Sequence, residues 1–203
     1  MENEVFKRST EWWKNAIVSE SDVTKYAYSF GYKKAGDILA EKVLNDRFMI
    51  DALFLPICYC YRHFIEVSLK ESIIEVTLLI NGGRYGSLEG IECDLETLKK
   101  LLEGKNGHNL KWLWEELEKR MDAAIEPRDK EWDEKIKGYI LAFHQLDEKS
   151  QAFRYPLDKK TGEMHFKGER HYDIEHIQKC AKEIEMYFNG LDGYVSQLND
   201  FDY

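Results

Sequence analysis

The chain has 203 residues, and its 38 aspartates and glutamates outnumber its 29 lysines and arginines to give a net charge of −9. That is the size of one domain able to bury a core without disulfides or metal. The acidic balance excludes broad, sequence-independent binding to duplex nucleic acid, which needs a basic face to neutralise phosphates, so any nucleic-acid contact would be local.

Residues 9–20 set Trp12, Trp13, Ala16 and Ile17 at the spacing of a short amphipathic helix. A second helix is expected from a cap at Ser21 or Asp22 to about Leu44. Its inner face would hold Val23, Tyr26, Ala27, Phe30, Ile38 and Leu39, with Gly31 and Gly36 weakening its middle. The strongest periodicity runs from Met49 to Ile80, where Leu53, Phe54, Ile57, Tyr61, Phe64, Ile65, Leu69, Ile73 and Val76 recur at three and four. Pro56 marks a kink in that helix or its first turn, and Asn81-Gly82-Gly83 supplies a left-handed stop.

Residues 84–93 read as loop, followed by a short helix from about Leu95 to Leu102 that Gly104 closes. Asn106 to His108 introduce the next helix, with Leu110, Leu113, Trp114 and Leu117 inward and Pro127 at its end; Glu131 to Leu146 then turns Ile136, Ile140 and Phe143 inward. The segment Asp147 to Arg170 differs: Glu163 to Lys167 alternates and Asp158-Lys159-Lys160-Thr161-Gly162 reads as a turn, so a small β-hairpin is expected at 157–167. The last helix runs from about Asp173 to Leu198 on an apolar face of Ile174, Ile177, Ala181, Ile184, Tyr187, Phe188, Tyr194, Val195 and Leu198.

Hydrophobic residues make up 43% of the chain and prolines number only three, which favours a helical fold with a large core. Cys58, Cys60, Cys93 and Cys180 have the spacing of neither a zinc knuckle nor a thioredoxin-type pair, and Met1 to Thr10 lacks the apolar run of a signal peptide. Asp51, Arg62, His63, Glu66, Lys70, Glu71 and Glu75 interrupt the apolar stretch Phe48 to Ile80 and argue against a bilayer span. The expectation is a cytoplasmic protein with reduced thiols and no membrane contact.

Arg62, Glu66 and Lys70 share one helix stripe. They form either a polar seam, with Arg62 anchored by Glu66 or Asp147, or a pocket where Arg62 and His63 meet an anionic ligand. His108 either bridges loop and core or sets an imidazole beside an anion-favouring helix N-terminus. Arg154, next to Tyr155, either pairs with Asp147 or a helix C-terminus or uses its planar fork on a ligand at the mouth of the bundle. Asn81-Gly82-Gly83-Arg84 follows a helix and reads as a cap, not a phosphate cradle. No His-x-x-x-His pair or carboxylate triad occurs, so neither a metal nor a cofactor is expected.

Four stretches, in order, resemble the HEPN superfamily of small helical domains of prokaryotic defence and nucleotidyltransferase-associated systems. Arg62-His63-Phe64-Ile65-Glu66-Val67-Ser68-Leu69-Lys70 is similar to the Glu-x-x-Leu-Lys core of the family's long second helix. Gly107-His108-Asn109-Leu110-Lys111-Trp112-Leu113 resembles its His-Asp/Asn-Leu-x-x-Leu signature, and Phe153-Arg154-Tyr155-Pro156 its Arg-Tyr-Pro element. The amphipathic helix 173–198 completes the series. The element after Arg-Tyr-Pro is enlarged compared with minimal members.

The resemblance implies one all-α domain over 1–203, a HEPN-like bundle at 48–198 with an N-terminal helical extension at 1–47 and the small hairpin inserted. It also implies two functions. The one we favour is an accessory or interaction domain of a defence or toxin–antitoxin system, acting as a homodimer or with a partner subunit and holding a nucleotide or RNA end. Arg62, His63, Glu66, His108, Asp147, Arg154 and Tyr155 would line its site. The alternative is a metal-independent endoribonuclease, because Arg170-His171-Tyr172-Asp173-Ile174-Glu175-His176 meets the family's Arg-x(4–6)-His pattern. His176 would move protons at the 2′-hydroxyl or leaving oxygen and Arg170 would stabilise the phosphorane, at a site usually shared across a dimer. Gln178 stands where toxin members paired with nucleotidyltransferases often carry tyrosine.

Overall fold

The computed structural model describes residues 5–18, 25–84 and 90–200. Its helices are α1 Lys25–Asn45, α2 Ile50–Leu79, α3 Leu95–Glu103, α4 Leu110–Ala124, α5 Lys130–Leu146 and α6 Ile174–Asp200, so the architecture is all-α. Apolar residues on several faces of α2 make it the axis: it packs against α1, α4 and α6, while α5 bridges α4 and α6. Ile57, Tyr61, Ile65, Leu69, Ile73 and Val76 of α2 are fully buried with Leu113, Trp114 and Leu117 of α4, Ile136 and Ile140 of α5, and Ala181 and Ile184 of α6. Truncating one of the leucines or isoleucines to alanine would cost about 2–5 kcal/mol.

Local chemistry sets the helix starts. Asn109 accepts a hydrogen bond from the Trp112 amide at 3.0 Å and Asp129 one from the Trp132 amide at 3.0 Å, each satisfying a donor the helix cannot. Between α3 and α4 the chain passes so closely that a Cβ on Gly107 would lie 1.8 Å from the Leu102 carbonyl oxygen. Glycine there lets the chain turn tightly from α3 into His108 and the Asn109 cap of α4.

Several expectations are corrected. Residues 9–18 form only a 3₁₀ turn at Trp12–Lys14, with Trp12 76% and Trp13 64% exposed, because nothing apolar among the described residues covers them. The rest of that expected helix, together with the caps Ser21 and Asp22 and the inner residue Val23, lies outside the described residues, as does the side chain of Tyr26.

On α1 the buried stripe is Ser29, Lys33, Gly36, Ala40 and Val43, whereas Phe30 and Ile38 are exposed. Helix contact decides this. A Cβ on Gly36 would lie 2.6 Å from Cε1 of Tyr61, so α1 turns its small residues to α2 and leaves bulkier ones outside. Lys33 accompanies them because Asp37 and Glu185 meet its ammonium at 2.7 and 3.2 Å.

Asn81 to Gly83 do not form a left-handed cap. α2 runs into a π turn at Ile80–Arg84, and among the described residues only Gly90, Gly162 and Gly168 are glycines of positive φ. The expected hairpin contains no strand; a single antiparallel bridge joins Leu157 to Met164. The Asp158 carboxylate closes that turn by accepting from the Lys160 and Thr161 amides at 2.8 and 3.0 Å, in place of a strand ladder. The window Arg47–Gly82 is long and apolar enough to cross a membrane by length and composition, despite the charged residues that argued otherwise. In the fold this helix is the one on which α1, α4 and α6 pack.

Candidate functional site

Tyr59, His63, Glu66 and Lys70 succeed one another at four, three and four residues, so they share one face of α2 over a length of about 16 Å. Arg62 lies beneath this row and is 1% exposed. Its Nη1 donates to Glu66 Oε2 at 3.1 Å, its Nη2 to the His108 carbonyl at 2.7 Å, and its Nε to the Asp147 carbonyl at 3.2 Å. Asp147 Oδ2 stands 3.4 Å from the same Nε. One planar guanidinium therefore ties α2 to the start of α4 and the end of α5.

Glu66 Oε1 accepts from Lys70 Nζ at 2.9 Å and lies 2.8 Å from His108 Nδ1. Burial alone would raise the Glu66 carboxyl, but Lys70, His108 and Arg62 outweigh it and hold the group below the usual glutamate range. An ionised carboxylate only accepts, so His108 carries a proton on Nδ1. Its ring, 61% exposed, keeps Nε2 as the outer nitrogen.

Asp147 organises the segment after α5. Its Oδ1 accepts from the Gln151 and Ala152 amides at 2.5 and 2.8 Å, bending the chain through Ser150 at a φ of 55°. Arg154 Nε then donates to the Ser150 carbonyl at 3.0 Å, with Nη2 on the same oxygen. This fold-back sets the Arg154 guanidinium 5.7 Å from the Tyr59 ring centre and 5.5 Å from that of Tyr155, which also carries Lys159 at 4.7 Å. Tyr59 stacks on His63 at 5.9 Å, and Tyr32 meets His63 edge-on at 4.2 Å. Burial lowers the His63 pKa and favours the neutral ring.

All seven expected ligand-site residues thus meet around one half of α2, in two layers. Arg62, Glu66 and Asp147 form the buried seam; His63, His108, Arg154 and Tyr155 lie nearer the surface. Arg62 is committed to protein acceptors and Lys70 to Glu66, so anion contact falls to Lys159 and to the Nη1 edge of Arg154, whose Nε and Nη2 meet the Ser150 carbonyl. Sequence reasoning missed Tyr59, Tyr32 and Lys159, although Tyr59 was marked by its place four residues before His63. The exposed layer can stack a planar ring and hold an anion beside it.

Arg170 and His176 are also exposed. His176 sits in the first turn of α6, its amide donating to Asp173 Oδ1 at 3.0 Å and its Nε2 3.6 Å from Cys180 Sγ. Burial pushes the Cys180 thiol up, so it is not a ready thiolate. Among the described residues no hydrogen bond or ion pair joins Arg170 to His176, and no three His, Cys, Asp or Glu side chains gather as metal ligands. No protein-family model, curated protein or solved structure gives a significant match to this chain.

Proposed function

We propose that the chain is a HEPN-like accessory domain of a prokaryotic defence or toxin–antitoxin system, cytoplasmic, that holds a nucleotide or an RNA end on the α2 face. It would act as a homodimer or with a partner subunit. The observation that carries the reading is the stack of the Arg154 guanidinium over Tyr59, with His63 and Tyr155 as its neighbours. A base can lie on these rings, and the outer Nη1 edge of the arginine suits a terminal phosphate. The acidic net charge agrees with a local contact of this kind.

Equilibrium binding of a 5′-phosphorylated RNA oligonucleotide and of ATP to wild type, Tyr59→Ala and Arg154→Ala tests it. Loss of a stacking base costs about 1–3 kcal/mol, so each substitution should weaken binding at least about fivefold. Equal affinity in all three proteins would remove the proposal.

The exposure of His176 supports the second reading, a metal-independent ribonuclease using Arg170 and His176. An RNA-cleavage assay in chelator separates the two. Cleavage lost in His176→Ala but kept in Arg154→Ala would favour catalysis at α6.

A further inference from the structure

The outer layer of the α2 site is not cationic throughout. Lys159 and the Nη1 edge of Arg154 can only donate, which suits a phosphate. The two carboxylates are committed to the protein. Glu66 Oε2 meets Arg62 at 3.1 Å, and Glu66 Oε1 meets Lys70 at 2.9 Å and His108 at 2.8 Å. Asp147 Oδ1 accepts from two backbone amides, and its Oδ2 lies 3.4 Å from Arg62 Nε.

His108 breaks the pattern. Burial works against the charge on Glu66, but Lys70, His108 and Arg62 hold it ionised. A carboxylate only accepts, so in the neutral imidazole the proton sits on Nδ1 and the lone pair on Nε2. That nitrogen has no hydrogen-bond partner among the described residues, and the ring is exposed. Its aim is set in advance, by Glu66 through the ring and by the Arg62 bond to the His108 carbonyl through the backbone. Glu66 follows His63 by three residues, so His108 stands about one turn of α2 beyond the Tyr59–His63 stack. The two imidazoles are neighbours: burial first, then Lys70, Arg62 and His108, works against a proton on His63. One turn, about 5 Å, is also the reach from a stacked base to its own ribose hydroxyls.

We propose that His108 Nε2 accepts a hydrogen bond from the ribose 2′-hydroxyl of the nucleotide held on the α2 face, and so selects RNA over DNA. The inference rests on the reading that this face holds a nucleotide or RNA end, and it adds which sugar the face takes. Ribose carries a donor at the 2′ position and deoxyribose carries none. With deoxyribose bound, Nε2 would keep only water. Because the imidazole is exposed, the preference is that of one net hydrogen bond, about three- to tenfold.

Equilibrium binding to the full chain tests this, at about pH 8.5, well above the ordinary imidazole range. The probes are 5′-phosphorylated RNA oligonucleotides of one sequence whose first nucleotide is ribo, 2′-deoxy or 2′-fluoro. The fluoro sugar keeps the ribose pucker but has no hydrogen to donate, so it separates the hydrogen bond from sugar shape. Wild type should bind the ribo strand about three- to tenfold more tightly than either of the others. His108→Ala, its fold checked by circular dichroism, should bring the ratio of ribo to deoxy affinity to about one, whereas loss of a merely structural contact would weaken all three strands and keep the ratio. A preserved ratio in that variant overturns the proposal, as does a fluoro strand that binds wild type like the ribo strand. Equal binding of ribo and deoxy strands by wild type removes the proposal and leaves the α2 face as a nucleotide site. Binding of none of the three removes both readings.

Discussion

His108 Nδ1 lies 2.8 Å from Glu66 Oε1, and Lys70 Nζ holds the same oxygen at 2.9 Å. The carboxylate beneath them is nearly inaccessible and is fixed from its other side by Arg62. An exposed imidazole is therefore oriented by a buried arginine, through one glutamate. Whatever the α2 face binds, its geometry depends on that pair.

Removing Arg62 should be severe. Arg62→Leu leaves the Glu66 carboxylate and the Asp147 and His108 carbonyls without their shared donor, and breaking a buried pair from one side costs about 3–5 kcal/mol. Urea denaturation is the measurement. Glu66→Gln keeps a hydrogen-bond acceptor for Arg62 and should lose less. Equal losses in the two variants would mean that Arg62 does not join the three elements.

Two glycines in α1 should respond with opposite sign. A Cβ at Gly36 would fall 2.6 Å from the Tyr61 ring, which is held by its hydroxyl donating to Asp37 at 2.9 Å, so Gly36→Ala should destabilise by about 1–3 kcal/mol through overpacking. At Gly31 nothing lies within 4 Å, and Gly31→Ala should stabilise by about 0.5–1 kcal/mol through helix propensity. Thermal melts of the two variants check the pair. Stabilisation by both would mean that α1 does not approach α2 this closely.

The contrast also explains what the sequence could reveal. α2 was legible because Ile57, Tyr61, Ile65, Leu69, Ile73 and Val76 repeat with the helix, and every one is buried. The inner face of α1 was not, because it is set by the fit of Gly36 on Tyr61 and by the carboxylates of Asp37 and Glu185 that hold Lys33 and Tyr61, none of which hydropathy records. Trp12 and Trp13 have helical spacing without any surface among the described residues to bury them, so over residues 9–18 the period predicts a helix that does not form. At the candidate site, the Arg62–Glu66–Lys70 spacing offered either a polar seam, with Glu66 or Asp147 as the anchor of Arg62, or an anion pocket. That Arg62 reaches both Glu66 and Asp147, the latter 85 residues away, and that Arg154 returns to Tyr59, are consequences of tertiary packing.

Stability should fall on mild acidification. Burial is the largest cause lowering the pKa of both His63 and His144 from the ordinary 6.5. Between 6.5 and each lowered value the unfolded chain binds more protons than the folded one, so stability declines as pH falls through that window. Glu66 acts in the same direction at lower pH: its stabilisation is present above the ordinary 4.5 and is lost as pH drops through its lowered folded value. The melting temperature should therefore decrease steadily from pH 6.5 downward, and His63→Phe should flatten the upper part of the slope. A melting temperature that rises over this range would contradict the burial of both rings.

Ser150 holds a left-handed backbone, φ 55°, at the bend that returns Arg154 to α2. Serine there costs about 1–2 kcal/mol relative to glycine's freedom. Ser150→Gly should be neutral or stabilising in a thermal melt, whereas the β-branched Ser150→Val should destabilise and displace Arg154. If Ser150→Val bound RNA like wild type, the bend would not be what positions the arginine.

Arg154 separates a binding role from a structural one. The side chain is exposed, and its stack on Tyr59 is worth only about 0.5–1 kcal/mol to folding. Arg154→Ala should therefore melt within a few degrees of wild type while losing most of its RNA or nucleotide affinity. Arg154→Lys sharpens the test, because lysine keeps the charge but not the planar fork that both stacks and pairs with phosphate. If charge alone mattered, Arg154→Lys would bind like wild type at every salt concentration. If the fork matters, it should bind little better than Arg154→Ala, and Tyr59→Ala combined with Arg154→Ala should lose less than the sum of the two single effects, since the ring and the guanidinium would act on the ligand as one surface. Strict additivity in that cycle would mean the two residues serve separate contacts, and the α2 face would then not be a single stacking site.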